Sequence, residues 1–364
     1  MKEDLIRWKW TLRRISCLLL RMLLVAGTMS LGGTAFAKDL SNVRLRIDQV
    51  IPDPEVGACL LVIRSGETVL KTGYGLAELG SQRPCTAATN FRMGSVSKQF
   101  TASAILSLVD DEMLSTRTSL GELFHESPKY WDDITVHHLL NHTSGIPDYR
   151  VPAGTSFQLS DQNVLTQLLD TKAALFAPGE QWQYCNAGYV LLGLIVEQTS
   201  GKSFHRYVRE RFFEPLGMAN TCIYYRGWNE IRERAMGHVQ EGAGWVIGDQ
   251  SPTSALRGDG SLYSSLNDME KWIRAVLDRN LLSPPSTEAM FRPHNHSEQG
   301  YGYGWYIDTY KERKRFSHGG ATRGFRTYLE LYPDERSAIL IQVNTESSGL
   351  KELSEQIAEI IAPE

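Results

Sequence analysis

The chain has few cysteines, five in 364 residues, which is far too sparse for a fold held together by disulfides. Its 31 glycines and 14 prolines are ordinary numbers, so a collagenous or low-complexity chain is excluded. The formal net charge of −4 lacks the basic excess that nucleic-acid binding requires. With 42% hydrophobic and 22% charged residues, the sequence predicts a folded protein large enough for two lobes.

Long apolar runs are also absent, except near the N-terminus. There a basic stretch precedes apolar residues from 15 to about 31, interrupted by Arg21, and Ala35-Phe36-Ala37 follows. This order predicts a secretory signal peptide over residues 1–37, cleaved after Ala37. The alternative is a leader retained as a membrane anchor. It is disfavoured because Arg21 splits the run, and a span needs about 20 mostly uncharged residues.

We therefore expect residues 38–364 to form a single domain in the periplasm or outside the cell, with no membrane-spanning segment. Four cysteines fall in this part of the chain: Cys59, Cys85, Cys185 and Cys222. An oxidising compartment permits disulfides among them, and four cysteines allow three full pairings. The sequence leaves both the pairings and free, buried thiols open.

Segments typical of strands lie at both ends of this domain, with a helical block between them. A hairpin is predicted over residues 55–64 and 68–74. Further strands are predicted over residues 304–309, 326–332 and 338–343, with turns at Gly319-Gly320 and Pro333-Asp334. Helices are predicted over residues 96–108, 190–198, 204–213 and 350–361.

The predicted fold is therefore α+β, an α/β sandwich. Residues 38–113 and 275–364 are expected to supply an antiparallel sheet flanked by helices, and residues 114–274 an inserted, mainly helical lobe. Strands from both ends of the domain can share one sheet only if they come together in space. A cleft between the two lobes is a natural place for a small-molecule site.

The segment 94–98, Gly-Ser-Val-Ser-Lys, marks the passage from a loop into a helix. Ser95 and Lys98 are three residues apart, so both side chains face the same side of the helix, whereas Ser97 points elsewhere. A serine hydroxyl becomes a good nucleophile when a neighbour accepts its proton, and a lysine with a lowered pKa can be that neighbour. The pattern also fits an N-capping serine with a solvated lysine.

Tyr184 and Asn186 flank Cys185 just before a predicted helix. In an extended segment both would face one side, with Cys185 pointing away as a packing residue or a disulfide partner. A tyrosine phenol can transfer protons if cations lower its pKa, and an asparagine amide can bind a substrate carbonyl. The alternative is a turn that only opens the helix.

A third segment places His318, Gly319, Gly320 and Ala321 on a predicted strand. Paired glycines let a substrate approach the backbone, and an edge strand offers free N–H groups. His318 would add a hydrogen-bond donor or a partial positive charge. The alternative is a glycine hairpin with a surface histidine.

Together, Ser95-Val96-Ser97-Lys98, Tyr184-Cys185-Asn186 and His318-Gly319-Gly320 resemble the three active-site motifs of the penicillin-recognising serine hydrolases. The similarity is greatest to the branch of class C β-lactamases and D-alanyl-D-alanine carboxypeptidases, which has Tyr-x-Asn as its second motif. Segments 134–147, 214–218 and 258–265 look like hallmarks of that branch. The resemblance implies a β-lactamase/transpeptidase-like fold and a serine hydrolase that works through an acyl-enzyme.

The resemblance also implies catalytic roles. Ser95 resembles the acylated nucleophile and Lys98 its proton acceptor. Tyr184 resembles the residue that protonates the leaving group and later activates water. The backbone N–H groups of Ser95 and Ala321 resemble an oxyanion hole, in which the loss of one donor typically costs about 10²–10³ in rate.

Substrate binding is implied for Asn186, His318, Gly320 and Ala321. Asn186 resembles the residue that holds both the substrate amide and Lys98. His318 stands where many members have the lysine of Lys-Thr-Gly. An imidazole ordinarily titrates near pH ~6.5. If the charged form of His318 assists, we expect a limb of the activity profile near its pKa, which His318→Lys would flatten.

The implied substrates are small molecules or short peptides: D-amino-acid peptides or amides, esters, or β-lactams. The alternatives are a true β-lactamase or D,D-carboxypeptidase, and a penicillin-acylated sensor without turnover. Neither nucleic acid nor a cofactor is expected, and the oligomeric state stays open.

Two further patterns fail to support another class of site. His138 and His142 have a zinc-compatible spacing but lack the glutamate of H-E-x-x-H, so no metal is expected. The glycine-rich segment 300–304 lacks the flanking strand and helix of a nucleotide loop. A G-x-S-x-G elbow is missing around Ser95, which argues against an α/β-hydrolase.

Overall fold

The computed structural model describes residues 40–42, 44–46, 49, 56–225, 230–294 and 300–362. The chain divides into two compact units, Met1–Gln49 and Val50–Glu364. The described residues of the first unit are helical. The signal peptide predicted over residues 1–37 lies outside the described residues. The strands and the predicted functional residues belong to the second unit.

The described strands of the second unit follow in chain order. They are β1 Ala58–Arg64, β2 Glu67–Tyr74, β3 Phe91–Arg92, β4 Cys222–Ile223, β5 His238–Glu241, β6 Gly244–Ile247, β7 Leu262–Ser264, β8 Gly300–Tyr301, β9 Tyr306–Tyr310, β10 Arg313–Thr322, β11 Phe325–Tyr332 and β12 Ser337–Val343.

The described helices of this unit are short to medium in length. They are α1 Lys98–Asp110, α2 Leu120–Leu123, α3 Val136–Leu140, α4 Asp161–Leu169, α5 Asn186–Ser200, α6 Phe204–Val208, α7 Glu214–Leu216, α8 Leu266–Leu277, α9 Pro284–Met290 and α10 Leu350–Ile360. A 3₁₀ turn, Gly94–Ser97, leads directly into α1. Among the helices described, none combines the length and the apolar character of a bilayer span.

Within the described residues, seven strands form one antiparallel sheet in the order β2-β1-β12-β11-β10-β9-β8. β1 and β12 pair from Ala58 opposite Val343 to Ile63 opposite Ala338. The two ends of the unit therefore share one sheet, as the sequence predicts. Both strands are buried along nearly their whole length, as expected for a sheet covered on both faces.

The hairpin predicted at the start of the sheet is confirmed. Ser65 and Gly66 join β1 to β2, and both have positive φ, 49° and 83°. Two central residues of this kind make a turn whose twist matches the twist of the flanking strands. Glycine at position 66 adopts this conformation without a steric penalty.

Helix α1 lies in the interior of the unit, and its residues from Lys98 to Leu108 are buried. Its sequence is apolar or small on every face, which is typical of a helix surrounded by protein. Helix α5, in the segment predicted as a helical lobe, is likewise buried from Ala187 to Gly193. The first residue of α1, Lys98, is therefore held away from water.

Strand β10 contradicts the predicted turn at Gly319-Gly320. These glycines pair with Tyr328 and Thr327 of β11 in a regular ladder. The chain reverses four residues later, where Gly324 has φ +75°. The turn prediction is wrong because both glycines lie inside the strand, where Gly320 allows a close approach to the backbone of Met93.

One edge of β10 is covered by two different segments. β9 pairs with β10 from Arg313 to Ser317, and in the described chain the pairing with β9 ends at Ser317. The following stretch, from His318 onward, lies against the 3₁₀ turn Gly94–Ser97. The third predicted motif is thus brought beside the first.

Candidate active site

Ser95 lies in the 3₁₀ turn that precedes α1, half-buried at the wall of a cleft. Gly94 has φ +53°, and a Cβ there would come within 2.9 Å of the backbone nitrogen of Ala321. Glycine therefore permits both this conformation and the close approach of β10. Ser97, the other serine of the segment, instead accepts a hydrogen bond from the N–H of Leu262 at 3.1 Å. The geometry thus favours Ser95 as the reactive hydroxyl.

Lys98 is completely buried, and its Nζ has three hydrogen-bond acceptors around it. It donates to Ser95 Oγ at 3.2 Å, to Asn186 Oδ1 at 2.9 Å and to the carbonyl oxygen of Asp259 at 3.0 Å. Burial lowers the pKa of Lys98 to about 8, and the nearby charges of Asp259 and Asp148 partly oppose that shift. At this pKa a substantial share of the amine is neutral near pH 8 and able to accept a proton.

Asn186 opens helix α5 and lies between Lys98 and Asp148. Its Oδ1 faces Lys98, and its Nδ2 donates to Asp148 Oδ2 at 3.1 Å. The same carboxylate accepts from the backbone N–H of Asn186 at 3.2 Å and of Ala187 at 2.8 Å. Asp148 thereby satisfies backbone donors that the first turn of a helix leaves unpaired.

Tyr184 presents its ring to Lys98, with Nζ 5.0 Å from the ring centroid. Burial raises the pKa of Tyr184 far above the ordinary value, although the neighbouring Ser95 acts in the opposite direction. Burial is the main cause, because the charged phenolate would lose its hydration. The phenol therefore keeps its proton and is suited to donate it.

The backbone around Tyr184 is held by His142. The Nδ1 atom of His142 accepts a hydrogen bond from the N–H of Cys185 at 3.1 Å, and its ring lies 4.3 Å from that of Tyr184. Burial lowers the pKa of His142 well below the ordinary value. This fits a neutral ring with Nδ1 as the acceptor.

Cys185 points away from the cleft, as predicted. Its buried Sγ lies 3.4 Å from the carbonyl oxygen of Ile146, so it is a packing residue. In the described part of the chain, none of Cys59, Cys85, Cys185 and Cys222 is joined in a disulfide.

His318 is buried and hydrogen-bonded on both ring nitrogens. Nδ1 lies 2.7 Å from the carbonyl oxygen of Gly319 and therefore carries the proton, which leaves Nε2 to accept from Tyr301 Oη at 3.1 Å. Burial and, to a smaller extent, the charge of Lys98 lower the pKa of His318 to about 3. The expectation of a histidine titrating near pH 6.5 is therefore wrong, and the ring is neutral at physiological pH.

Gly320 and Ala321 bring the edge of β10 against the turn that holds Ser95. A Cβ at Gly320 would overlap the carbonyl oxygen of Met93, whereas one at Gly319 would reach only Tyr328 Cδ2 at 3.8 Å. Gly320 thus lets two pieces of backbone approach each other, which differs from the predicted approach of a substrate. The result places the N–H groups of Ser95 and Ala321 on neighbouring segments.

A cleft of about 410 Å³ opens at this point. Its lining includes Ser95, Tyr184, Tyr306, His318, Ala321 and Arg326. The structure therefore gathers the predicted catalytic residues and the β10 residues around one cavity, with Lys98 and Asn186 directly behind Ser95. In the residues that the structure describes, no cluster of side chains suitable for a metal ion is present.

Four supporting residues are given no catalytic or substrate-binding role in the sequence analysis: His142, Asp148, Asp259 and Tyr301. Each makes a polar contact with a predicted site residue or with its neighbour. Their partners lie between 17 and 161 positions away in the chain. No local spacing could reveal such contacts. The sequence contains one indication of their importance: His142, Asp148 and Asp259 lie within or next to the segments 134–147 and 258–265 that resemble family hallmarks.

Comparisons with known proteins agree with this arrangement. The chain matches the Beta-lactamase family model over residues 48–362. It is 30% identical over 310 residues to a penicillin-binding protein of Bacillus subtilis, covering 79% of this chain and 68% of the relative. It is 29% identical over 325 residues to a D-aminopeptidase of Brucella canis, covering 80% of this chain and 57% of that protein.

A solved structure shows the same fold. The octameric penicillin-binding protein homologue from Pyrococcus abyssi superposes with a TM-score of 0.80 at 27% identity, covering 89% of this chain and 77% of that one. Fold and comparisons together define a serine hydrolase of the acyl-enzyme type with a β-lactamase/transpeptidase-like fold. The chain belongs to the β-lactamase family.

Proposed function

We propose that this enzyme hydrolyses amide or ester bonds of small D-amino-acid derivatives, with Ser95 as the acylated nucleophile. The observation that carries the proposal is the buried Lys98, whose Nζ lies 3.2 Å from Ser95 Oγ and whose pKa is lowered to about 8. The similarity to a D-aminopeptidase supports D-amino-acid substrates. A cleft of about 410 Å³ suits a small molecule or a short peptide.

Acylation would begin with attack of Ser95 Oγ on the substrate carbonyl carbon while the hydroxyl proton passes to Lys98 Nζ. The carbonyl oxygen becomes an oxyanion that the N–H groups of Ser95 and Ala321 stabilise. Tyr184 then donates its phenolic proton to the leaving nitrogen or oxygen as that bond breaks. Lys98 returns its extra proton to the Tyr184 oxygen, which leaves the acyl group on Ser95.

Deacylation would use the same groups in reverse. A water molecule attacks the ester carbon, its proton passes to the Tyr184 oxygen, and the phenolic proton passes to Lys98. Collapse of the intermediate breaks the bond to Ser95 Oγ, which recovers its proton from Lys98. The acid product then leaves and the enzyme returns to its starting protonation state.

The neutral ring of His318 favours D-amino-acid derivatives over β-lactams. Many relatives place a lysine here, and a permanent cation attracts the carboxylate of a β-lactam. His318 is buried and uncharged at neutral pH, so it supplies no such charge pairing. We infer that β-lactams react poorly with Ser95.

The test compares four substrates on one enzyme preparation: D-alanine p-nitroanilide, its L-isomer, p-nitrophenyl acetate and nitrocefin. We expect kcat/KM for the D-anilide to exceed that for the L-isomer and for nitrocefin by at least ~10-fold. A fluorophosphonate should add one adduct to the wild type and none to Ser95→Ala. Nitrocefin as the best substrate would indicate a β-lactamase, and a penicillin adduct that never clears would indicate a sensor without turnover.

We also propose that residues 1–37 direct export and are removed after Ala37, so that the enzyme acts outside the cytoplasm. The basic segment, the apolar segment and the small residues before the site support this. Expression of the full chain in a bacterial host should yield a periplasmic protein whose intact mass begins at Lys38. A membrane-bound product of full mass would identify a retained anchor instead.

A further inference from the structure

Lys98 can accept the Ser95 proton only if the lone pair of its neutral amine faces that hydroxyl. A neutral amine has two N–H donors and one lone pair. Around Nζ there are two acceptors that cannot donate in their observed orientation, Asn186 Oδ1 at 2.9 Å and the carbonyl oxygen of Asp259 at 3.0 Å. If both donors go to these acceptors, the lone pair points at Ser95 Oγ, 3.2 Å away.

The two groups differ in whether they can exchange an acceptor for a donor. The carbonyl of Asp259 belongs to the backbone and is always an acceptor. The amide of Asn186 has an oxygen and an NH₂ group at its two ends, and a half-turn about its last bond exchanges them. In the reversed orientation, Nδ2 would donate to the lone pair of Lys98 and turn it away from Ser95.

Asp148 is the residue that opposes this reversal. Its Oδ2 accepts from Asn186 Nδ2 at 3.1 Å, while its two oxygens also accept from the backbone N–H groups of Asn186 and Ala187. A carboxylate has no hydrogen to donate. A reversed amide would therefore set Asn186 Oδ1 against Asp148 Oδ2, two acceptors in contact, with the helix N-terminus holding the carboxylate in place.

We propose that Asp148 is a positioning residue that acts through Asn186: it fixes the amide so that Oδ1 faces Lys98 and the lysine lone pair faces Ser95. This inference rests on the proposed roles of Ser95 and Lys98 and is independent of the identity of the substrate. It assigns a function to a residue that touches neither the cleft around Ser95 nor the serine itself.

Other groups around Lys98 shape its titration and must be separated from this effect. They are the charged or titratable side chains of Asp148, Asp259, Cys185, Tyr184, Tyr189, His142 and His318. The charge of Asp148 raises the pKa of Lys98, so removing it should move the acidic limb to lower pH. A shift of the pKa alone would leave the rate of Ser95 modification at high pH unchanged. A Lys98 lone pair that is turned away from Ser95 would lower that rate.

The experiment measures the rate constant for modification of Ser95 by a saturating fluorophosphonate between pH 5 and 10. In Asp148→Asn we expect the high-pH plateau to fall about 10–100-fold, as for a misplaced reacting group, with the reagent's half-saturation concentration changed less than ~3-fold. Asp148→Ser should lose as much, although its hydroxyl can still cap the first turn of α5. Glu180→Gln is the matched control, because Glu180 also accepts a backbone N–H, from Ala177 at 3.2 Å, without contacting Asn186 or Lys98 in the described structure.

A double-mutant cycle identifies the route of the effect. In an Asn186→Ala background there is no amide to orient, so Asp148→Asn should change the plateau less than ~2-fold. A wild-type plateau in Asp148→Asn and Asp148→Ser overturns the inference, and so does an undiminished effect in the Asn186→Ala background. Failure of the wild-type protein to be modified at Ser95 would instead refute the proposed function. Circular dichroism and thermal unfolding of each variant show whether a loss comes from unfolding.

Discussion

At the scale of single residues, the main consequence of the structure concerns which groups are charged. Lys98 and His318 both lose hydration on burial, and both pKa values fall, to about 8 and about 3. The proposed base for acylation is the neutral amine of Lys98, so kcat/KM should rise with pH through a limb near 8. His318 remains neutral throughout that range and should contribute no limb.

This pH dependence can be measured with p-nitrophenyl acetate between pH 5 and 10. A wild-type profile with one acidic limb near 8 is expected, and His318→Gln should keep that limb. A limb near 6.5 that disappears in His318→Gln would show that the imidazole titrates during the reaction and would contradict the neutral ring.

The protonated phenol of Tyr184 leads to a second prediction. Burial keeps the pKa of Tyr184 high, so the residue should act as a proton donor to the leaving group. Tyr184→Phe should then reduce kcat/KM on an amide, which reports acylation alone, by about 10²–10⁴-fold, the usual contribution of general acid–base catalysis. An activated ester such as p-nitrophenyl acetate should lose less, because its leaving group departs without a proton. Equal losses on both substrates would mean that Tyr184 serves another purpose.

At the scale of secondary-structure elements, the contact between β10 and the turn before α1 positions the proposed oxyanion site. Gly320 allows this contact, since a Cβ there would overlap the carbonyl oxygen of Met93. Gly320→Ala should push β10 outward and displace the N–H of Ala321, with a loss of about 10²–10³ in kcat. The overpacking should cost about 1–3 kcal/mol of unfolding free energy.

Gly319→Ala is the matched control for stability. A Cβ at Gly319 would meet Tyr328 Cδ2 at an ordinary 3.8 Å, so urea denaturation should change by less than ~0.5 kcal/mol. If the two alanine variants were equally stable, the close approach of Gly320 to Met93 would not be needed for folding.

At the scale of the folded unit, a buried ion network joins three strands to the last helix. Arg315 of β10 donates to Asp308 of β9 at 2.6 and 2.8 Å, to Glu330 of β11 at 3.3 Å and to Glu355 of α10 at 2.8 Å. Glu330 is fully buried. Removing Arg315 leaves that carboxylate without its cation, which is far more costly than losing an exposed pair.

Arg315→Met should therefore lower the free energy of unfolding by about 3–5 kcal/mol in urea denaturation. Burial raises the pKa of Glu330 in the folded protein, so its protonated form favours folding. The loss should shrink as pH falls and grow as pH rises through that pKa. Lys311→Met, which breaks an exposed pair with Glu359, should change stability by less than ~1 kcal/mol. Equal losses in both variants would contradict a buried network.

Much of the architecture and the main site residues could be predicted from local patterns. Hairpin and strand segments at the two ends follow from apolar runs between turn residues, and the predicted helices over 96–108 and 190–198 correspond to α1 and α5. Ser95 and Lys98 share a helix face because of their spacing. The turn predicted at Gly319-Gly320 failed because a glycine pair signals either a turn or a close backbone contact, and local sequence does not distinguish the two.

The protonation states and the supporting contacts depend on long-range packing. No spacing shows that Lys98 and His318 are buried, and burial is what sets their pKa values. Asp148 contacts Asn186, which is 38 positions away in the sequence, and the carbonyl of Asp259 contacts Lys98, which is 161 positions away. Residue types and spacing thus predicted Ser95 as the nucleophile, because that prediction rests on local geometry, and the resemblance of the three motifs to a family predicted the class of chemistry. The direction of each proposed proton transfer could be inferred only from the tertiary structure. Burial and contacts with residues distant in the sequence arise only when the chain folds.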